Sequence, residues 1–437
     1  MSEQLEPVGV IGVGWVGLVT AACFAELGHP VIARDIIPEK VEALSRGEIT
    51  IHEPGLEELL QRNAERITFT TEMDKLLAGA RLLFVCVDTP PTYSGDADLS
   101  RVRAVVEELS DDGDHVLIMK STVPAGTGES IRRDVPNLSY VSCPEFLKEG
   151  TAVKDFMNPD RVVIGADPGD EAAAEAVEAL YEPLGGEILP ADVASAEMIK
   201  LASNAFLATK ISFINEIANV CEEVGADVGQ VAKGMGLDER IGSAFLRAGI
   251  GYGGSCFPKD VSALKMLAGN TGYHFQLLTA VIEVNELQKR RVVGKLEKHL
   301  GSLIGKRVAL LGLAFKPDTD DMREASSLVL AARLQGEGAE VVAYDPVAAE
   351  RAADLLGSVE MATSAMEALE GADAAVLVTE WPEFAELDWA AAAERMTRPV
   401  LVDGRNFLDP QKLAKAGFEY EGIGRTALDA PRTASAS

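Results

Sequence analysis

Ten residues, Gly251-Tyr-Gly-Gly-Ser-Cys-Phe-Pro-Lys-Asp260, set one thiol, Cys256, between a run of glycines and a proline able to open a helix. Gly251, Gly253 and Gly254 let backbone amides approach a ligand, and a helix start together with Lys259 favours negative charge. This sulfur therefore has the surroundings of a thiolate. Cys23, Cys86, Cys143 and Cys221 lie in apolar stretches and read instead as small buried hydrophobes. The same chain begins with Gly12-Val13-Gly14-Trp15-Val16-Gly17, a phosphate-cradling pattern. A hydride acceptor and a sulfur nucleophile together specify a chemistry. An alcohol is oxidised to an aldehyde, which the sulfur makes tetrahedral so that a second hydride can leave.

A lone G-x-G-x-x-G can be a simple turn. Here it follows the apolar run Val8 to Ile11, opens an Ala-rich helical stretch to Gly28, and leads to a second strand, Val31 to Asp35. In that βαβ unit Gly12 gives the tight turn, Gly14 the close approach to pyrophosphate, and Gly17 the close packing of helix on strand. Asp35, ending the second strand, accepts from a ribose 2′-hydroxyl and repels a 2′-phosphate, which selects NAD over NADP. Arg34, directly before it, points the other way.

Further strands are expected at Leu82 to Val87, Val116 to Met119 and Val162 to Ile164, making a doubly wound parallel sheet. From Asp192 to Val224 the chain has no proline or glycine and keeps helical spacing, so a long helix bridges domains or supports a dimer. A second α/β unit begins at Lys306, with strands at Val308 to Leu311, Val341 to Asp345 and Ala374 to Thr379 and a helix over Ser326 to Gln335. The fold class is α/β: two Rossmann-like doubly wound domains joined by a long central helix and a helical dimerisation region. The expected boundaries are 1–190, 191–295 and 296–430, with 431–437 a small, polar, disordered tail.

The 437 residues suit two or three cores, and the formal charge of −29 excludes nucleic acid and anionic membrane surfaces as partners. An anionic substrate then needs a locally basic pocket. Such an acidic surface also suits a high-salt host, a reading that indifference of folding and activity to salt would remove. Five cysteines without a Cys-x-x-Cys pair indicate neither a disulfide framework nor a metal site. With no signal-peptide pattern and no membrane-length apolar run, the expected location is the cytoplasm.

These residues and several ordered motifs resemble the UDP-glucose dehydrogenase family of NAD-dependent nucleotide-sugar dehydrogenases. The motifs are Gly12 to Gly17, Lys120-Ser-Thr-Val-Pro-Ala-Gly126, Pro144-Glu-Phe-Leu-Lys-Glu-Gly150, Lys200-Leu-Ala-Ser-Asn204, Gly251 to Asp260, Gly312 to Arg323 and Asp403-Gly-Arg405. The resemblance spans nearly the whole chain. It implies four-electron oxidation of UDP-glucose at C6 to UDP-glucuronate, through a thiohemiacetal and a thioester on Cys256. It also implies a homodimer built on the middle segment and a C-terminal domain that holds the uridine nucleotide.

By the same resemblance Lys200 and Asn204, four apart on one helix face, stabilise the oxyanion at C6, and Asp260 works with Lys200 in proton transfer. Glu145 is the candidate base for thioester hydrolysis, with Glu149 and Thr122 on the nicotinamide and water side. If their segment is helical, Glu145 and Glu149 share a face; a pair of exposed carboxylates is the plain alternative. The division of labour among Glu145, Asp260 and Thr122 stays open. Implied cofactor contacts are Gly12, Val13, Gly14, Trp15, Val16, Gly17, Asp35, Lys40, Thr89, Thr122, Glu149, Lys259 and Arg323. Implied sugar-nucleotide contacts are Glu145, Phe146, Leu147, Lys148, Glu149, Lys200, Asn204, Arg240, Phe245, Arg247, Gly249, Gly251, Tyr252, Gly253, Phe315, Lys316 and Arg405. Asp88 departs from the family pattern, which more often has a small or neutral residue beside the cofactor.

Three other readings remain. The substrate could be GDP-mannose or a UDP-N-acetylhexosamine, although Pro144 to Gly150 and Asn158 to Arg161 resemble the UDP-glucose branch more closely. A two-electron hydroxyacid dehydrogenase would not need Cys256. A non-catalytic nucleotide-sugar-binding dimer would not need Cys256, Lys200 and Asp260 together.

Overall fold

The computed structural model describes residues 5–49, 51–109 and 114–425. The expected tail at 431–437 lies outside the described residues. The described residues form two compact units, one from the stretches up to 204 together with 262–274, the other from 205–261 together with 275–425.

The first unit carries an eight-stranded sheet: β1 (Val8–Ile11), β2 (Val31–Arg34), β3 (Ile67–Thr70), β4 (Leu82–Val85), β5 (Val116–Met119), β6 (Ser139–Ser142), β7 (Arg161–Gly165) and β8 (Glu187–Ala191). Their order is β3-β2-β1-β4-β5-β6-β7-β8. The first six strands are parallel, and β1, β4 and β5 among them are buried on both faces, which is why those three read as continuous apolar runs. Alternate side chains serve two cores: Val10, Phe84 and Ile118 pack on one face, Ile11, Val85 and Met119 on the other.

One junction departs from the expected parallel sheet. β7 meets β6 only where Ser142 lies opposite Gly165, and the two run antiparallel. The only helix between them is Ala152–Met157, whose six residues rise about 9 Å, less than the roughly 13 Å of a four-residue strand. It is too short to return the chain to the start of a parallel neighbour.

The second unit holds an all-parallel sheet of six strands: β9 (Arg307–Leu311), β10 (Glu340–Tyr344), β11 (Glu360–Met361), β12 (Ala374–Leu377), β13 (Val400–Asp403) and β14 (Glu419–Gly422), in the order β11-β10-β9-β12-β13-β14. One core built from these strands and the surrounding helices fills it. The long helix runs Val193–Val224, and its residues up to Asn204 belong to the first unit. A helix over Phe257–Asn270 starts directly after Cys256, and another spans Gln276–Leu300.

Among the described residues no helix is long and apolar enough to cross a membrane.

Candidate active site

In the first unit the glycine fingerprint forms the turn from β1 into the helix Trp15–Glu26. Gly12 takes φ +90°, and a Cβ on Gly17 would stand 1.8 Å from the Gly12 carbonyl oxygen, so neither position admits a larger residue. A Cβ on Gly14 would meet nothing within 4 Å. That opening faces a helix start with no side-chain cap, and this is the cradle a pyrophosphate requires.

Asp35 lies just past β2, buried. Its Oδ2 accepts from the Val13 amide at 3.0 Å and from Lys40 Nζ at 3.1 Å. Arg34 is turned to Glu108, at 2.8 Å, and to the Thr71 carbonyl. The basic residue that favours a 2′-phosphate is thus tied elsewhere. Thr89 donates to the Thr122 carbonyl at 2.8 Å, joining the chain after β4 to the chain after β5. Asp88 forms an exposed ion pair with Arg101.

The segment from Pro144 to Gly150 is not helical, so Glu145 and Glu149 do not share a helix face. Pro144 and the need to turn the chain after β6 override the i, i+4 spacing. Glu145 is buried against Lys200, with Nζ to Oε1 2.8 Å, and its other oxygen accepts from the Leu147 amide at 2.6 Å. Burial pushes the carboxyl upward, but Lys200, the Leu147 amide and Lys120 outweigh it and hold Glu145 below the usual carboxylate range. Arg161 stacks on the Phe146 ring at 3.8 Å, and Lys200 Nζ lies 5.3 Å from the same ring centre. Leu147 packs against the core. Lys148 is exposed and paired with Asp155 at 3.2 Å. Glu149 and Thr122 are half-buried, and Asn204 is buried one turn beyond Lys200.

In the second unit Cys256 immediately precedes the helix Phe257–Asn270, and its carbonyl accepts from the Asp260 amide at 2.9 Å. The sulfur therefore sits at the positive end of a helix dipole. Of the five cysteines it alone is partly exposed. Burial pushes the Cys23 and Cys86 thiols up to about 12 and raises Cys143 as well, which fits their reading as packing groups. Lys259 donates to the buried Asp260 carboxylate, so its ammonium is engaged there.

The glycines before the thiol are sterically required. A Cβ on Gly253 would stand 2.1 Å from the Glu324 carbonyl, and one on Gly254, where φ is +84°, would lie 2.6 Å from the Phe315 ring. Side-chain amides that sequence reading missed grip the approach to this loop. Asn285 pairs with both the amide and the carbonyl of Tyr252, at 2.8 and 3.0 Å, while Asn215 and Gln288 hold Gly249. Arg405 donates to the carbonyls of Gly251, Val378 and Phe315, so here it braces the loop. Phe245 takes φ +63°, uncommon for a bulky residue, and stacks edge-on with Phe257 at 6.0 Å; Tyr252 does the same at 5.8 Å. Lys316 Nζ lies 5.1 Å from the Phe315 ring centre, and Arg323 grips Asp321. Arg240, paired with Asp238, and Arg247 are exposed. Among the described residues no group of three or more His, Cys, Asp or Glu is placed to hold a metal.

Three sequence models match the chain in order: the NAD-binding domain of the UDP-glucose/GDP-mannose dehydrogenase family at residues 6–185, its central domain at 194–287 and its UDP-binding domain at 309–410. The chain belongs to the UDP-glucose/GDP-mannose dehydrogenase family. Members of this family are NAD-dependent dehydrogenases, and the cradle around Gly14 with Asp35 at its edge fits that cofactor. Within the family the chain is 45% identical to a UDP-glucose 6-dehydrogenase of Bacillus subtilis, covering 97% of this chain and 94% of that one. It is 47% identical to one of Pseudomonas aeruginosa, covering 95% and 97%. Among solved structures of the family it is similar to a UDP-glucose dehydrogenase of Pyrobaculum islandicum, with TM-score 0.89, 38% identity and coverage of 98% and 99%.

Proposed function

We propose that this chain oxidises UDP-glucose at C6 to UDP-glucuronate, with the sugar carbon held on Cys256 between the two oxidations. The observation that carries the reading is the contrast among thiols. One cysteine sits partly exposed at a helix start behind glycines that tolerate no side chain, while the other four are buried. The Gly12–Gly17 cradle would hold two NAD molecules in turn, each accepting one hydride and leaving as NADH.

The Cys256 thiolate adds to the aldehyde carbon, and the carbonyl oxygen takes up the negative charge. Lys200 and Asn204, neighbours on one helix face, donate to that oxygen, and protonation gives the thiohemiacetal. Loss of the second hydride and of the hydroxyl proton leaves a thioester. Water then adds to the thioester carbon, sulfur departs as thiolate, and a carboxylate takes the proton. Glu145, already ionised, is the proposed acceptor, with Asp260 and Thr122 ordering the water. The proposed sugar-nucleotide contacts in the second unit are Arg240, Phe245 to Gly253, Phe315 and Lys316, with Arg405 acting through the loop it braces. Phe146 to Glu149 are the proposed sugar-nucleotide contacts in the first unit. Thr89, Lys40, Lys259 and Arg323 are the proposed further contacts to NAD.

The functional division we propose is 1–190 for NAD, 191–295 for dimerisation and 296–430 for UDP. A homodimer is supported by an apolar stripe on the long helix. Phe206, Phe213 and Val220 recur every seven residues and are 65%, 49% and 57% exposed. A cytoplasmic location suits its free thiols.

GDP-mannose and UDP-N-acetylhexosamines are the competing substrates. The chain is 29% identical to a UDP-D-ManNAc dehydrogenase of Pyrococcus horikoshii, well below its identity to the UDP-glucose enzymes. A panel of nucleotide sugars assayed for NADH release tests the choice. UDP-glucose should give the highest kcat/KM, and a higher value for another sugar overturns the assignment.

A further inference from the structure

Glu53 is buried in the chain between two helices of the first unit, far in sequence from every motif described above. Three N–H groups from two segments far apart in sequence converge on its carboxylate. Oε2 accepts from the Trp15 indole at 2.9 Å and from the Gly150 amide at 2.8 Å; Oε1 accepts from the Ala152 amide at 2.8 Å. Trp15 is the first residue of the helix that follows the Gly12–Gly14 turn. Gly150 ends the segment that carries Glu145 and Glu149, and Ala152 opens the short helix after it.

We infer that Glu53 is a positioning residue that couples occupancy of the NAD cradle to the placement of the Glu145–Gly150 segment. The inference rests on the proposed NAD site and deepens it. A single carboxylate oxygen is shared by a donor from the cofactor loop and a donor from the carboxylate-bearing segment. Any shift of the Trp15 indole when the cradle fills changes the geometry available to the Gly150 amide. Cofactor binding thereby sets the backbone that holds Glu145 against Lys200.

The chemistry requires a carboxylate at this position. Three donors need an acceptor-only group. Glutamine presents one amino group whichever way it flips, and that group faces either the Ala152 N–H or the pair from Trp15 and Gly150. Glu53→Gln therefore leaves at least one buried N–H without an acceptor. Trp15→Phe is the gentler variant, because it removes only the indole donor and leaves both amide bonds to Glu53 in place.

Hydrogen–deuterium exchange of the full chain, with and without NAD, tests the coupling, with NAD binding followed independently by calorimetry. In the wild type NAD should slow exchange across 145–157. Trp15→Phe should keep the cofactor-free protection of that stretch but lose most of the slowing that NAD brings. Glu53→Gln should exchange roughly tenfold faster there even without NAD. In turnover, Trp15→Phe should lower kcat at saturating NAD as well as raise the KM for NAD. A merely structural Trp15 or Glu53 would leave NAD-induced slowing intact in Trp15→Phe, and that result overturns the coupling. Binding of NAD with no change at 145–157 in the wild type overturns it alone, whereas failure of NAD to bind overturns the proposed cofactor site with it.

Discussion

Lys200 Nζ and Glu145 Oε1 form a buried ion pair at 2.8 Å, joining two motifs 55 residues apart. Glu145 is held ionised, and Lys200 keeps its donors at the base of the proposed oxyanion site.

Removing one partner should cost far more than an exposed pair would. Lys200→Met leaves an uncompensated buried carboxylate, which destabilises by about 3–5 kcal/mol, and Glu145 then titrates above its ordinary range. Denaturant unfolding should show the loss, and Lys200→Met with Glu145→Gln together should recover part of it. Additive losses in the double variant would contradict the pairing.

Cys256→Ser should lower steady-state turnover by roughly 10³-fold or more while nucleotide-sugar binding persists. The thiols also differ in reactivity. At neutral pH iodoacetamide should modify Cys256 well before Cys23 or Cys86, whose thiols burial pushes up to about 12. Peptide mass mapping reads the order, and prior labelling of a buried cysteine would reverse it.

Glu197 lies one turn before Lys200 on the long helix and caps the Gly126–Gly128 turn, accepting from the two glycine amides at 2.7 and 2.8 Å. Burial raises its pKa from 4.5 to about 7, against the pull of those amides. Between these values the folded chain holds a proton that the unfolded chain has released, so stability falls as pH rises through the window, by about 3 kcal/mol at most. Glu197→Gln should lack that slope. Melting curves taken from about pH 5 to about pH 7.5 should show wild type losing ground to the variant; parallel curves would argue against it.

NAD should be preferred to NADP by at least about 10²-fold in kcat/KM, about 2.7 kcal/mol. Asp35, the proposed ribose contact, is held beside the glycine turn by the Val13 amide, and Arg34 is engaged by Glu108. Asp35→Ser should narrow the preference, chiefly through the KM values for the two cofactors. An unchanged ratio would remove Asp35 from the discrimination.

Much of this architecture was legible in the chain. The fully buried strands β1, β4 and β5 announce themselves as apolar runs, and Asp192 to Val224 contains nothing to interrupt a helix. The edge strands β8 and β11 were not legible, because their side chains are exposed or half-buried, and β3, Ile67-Thr-Phe-Thr70, has strand composition but is too short to show a period. The Gly12–Gly17 and Gly251–Asp260 loops could be read because close approach admits only glycine. Glu53, Asn285 and Glu197 could not, since a carboxylate or amide that grips backbone leaves no spacing pattern and acquires its meaning only from the chain folded against it.

The stoichiometry of NADH formed per UDP-glucose consumed, in a single-addition assay run to completion, tests the sulfur-held double oxidation most directly. The account predicts two NADH for each sugar, with no aldehyde released. One NADH per sugar, with the C6 aldehyde free in solution, would contradict it.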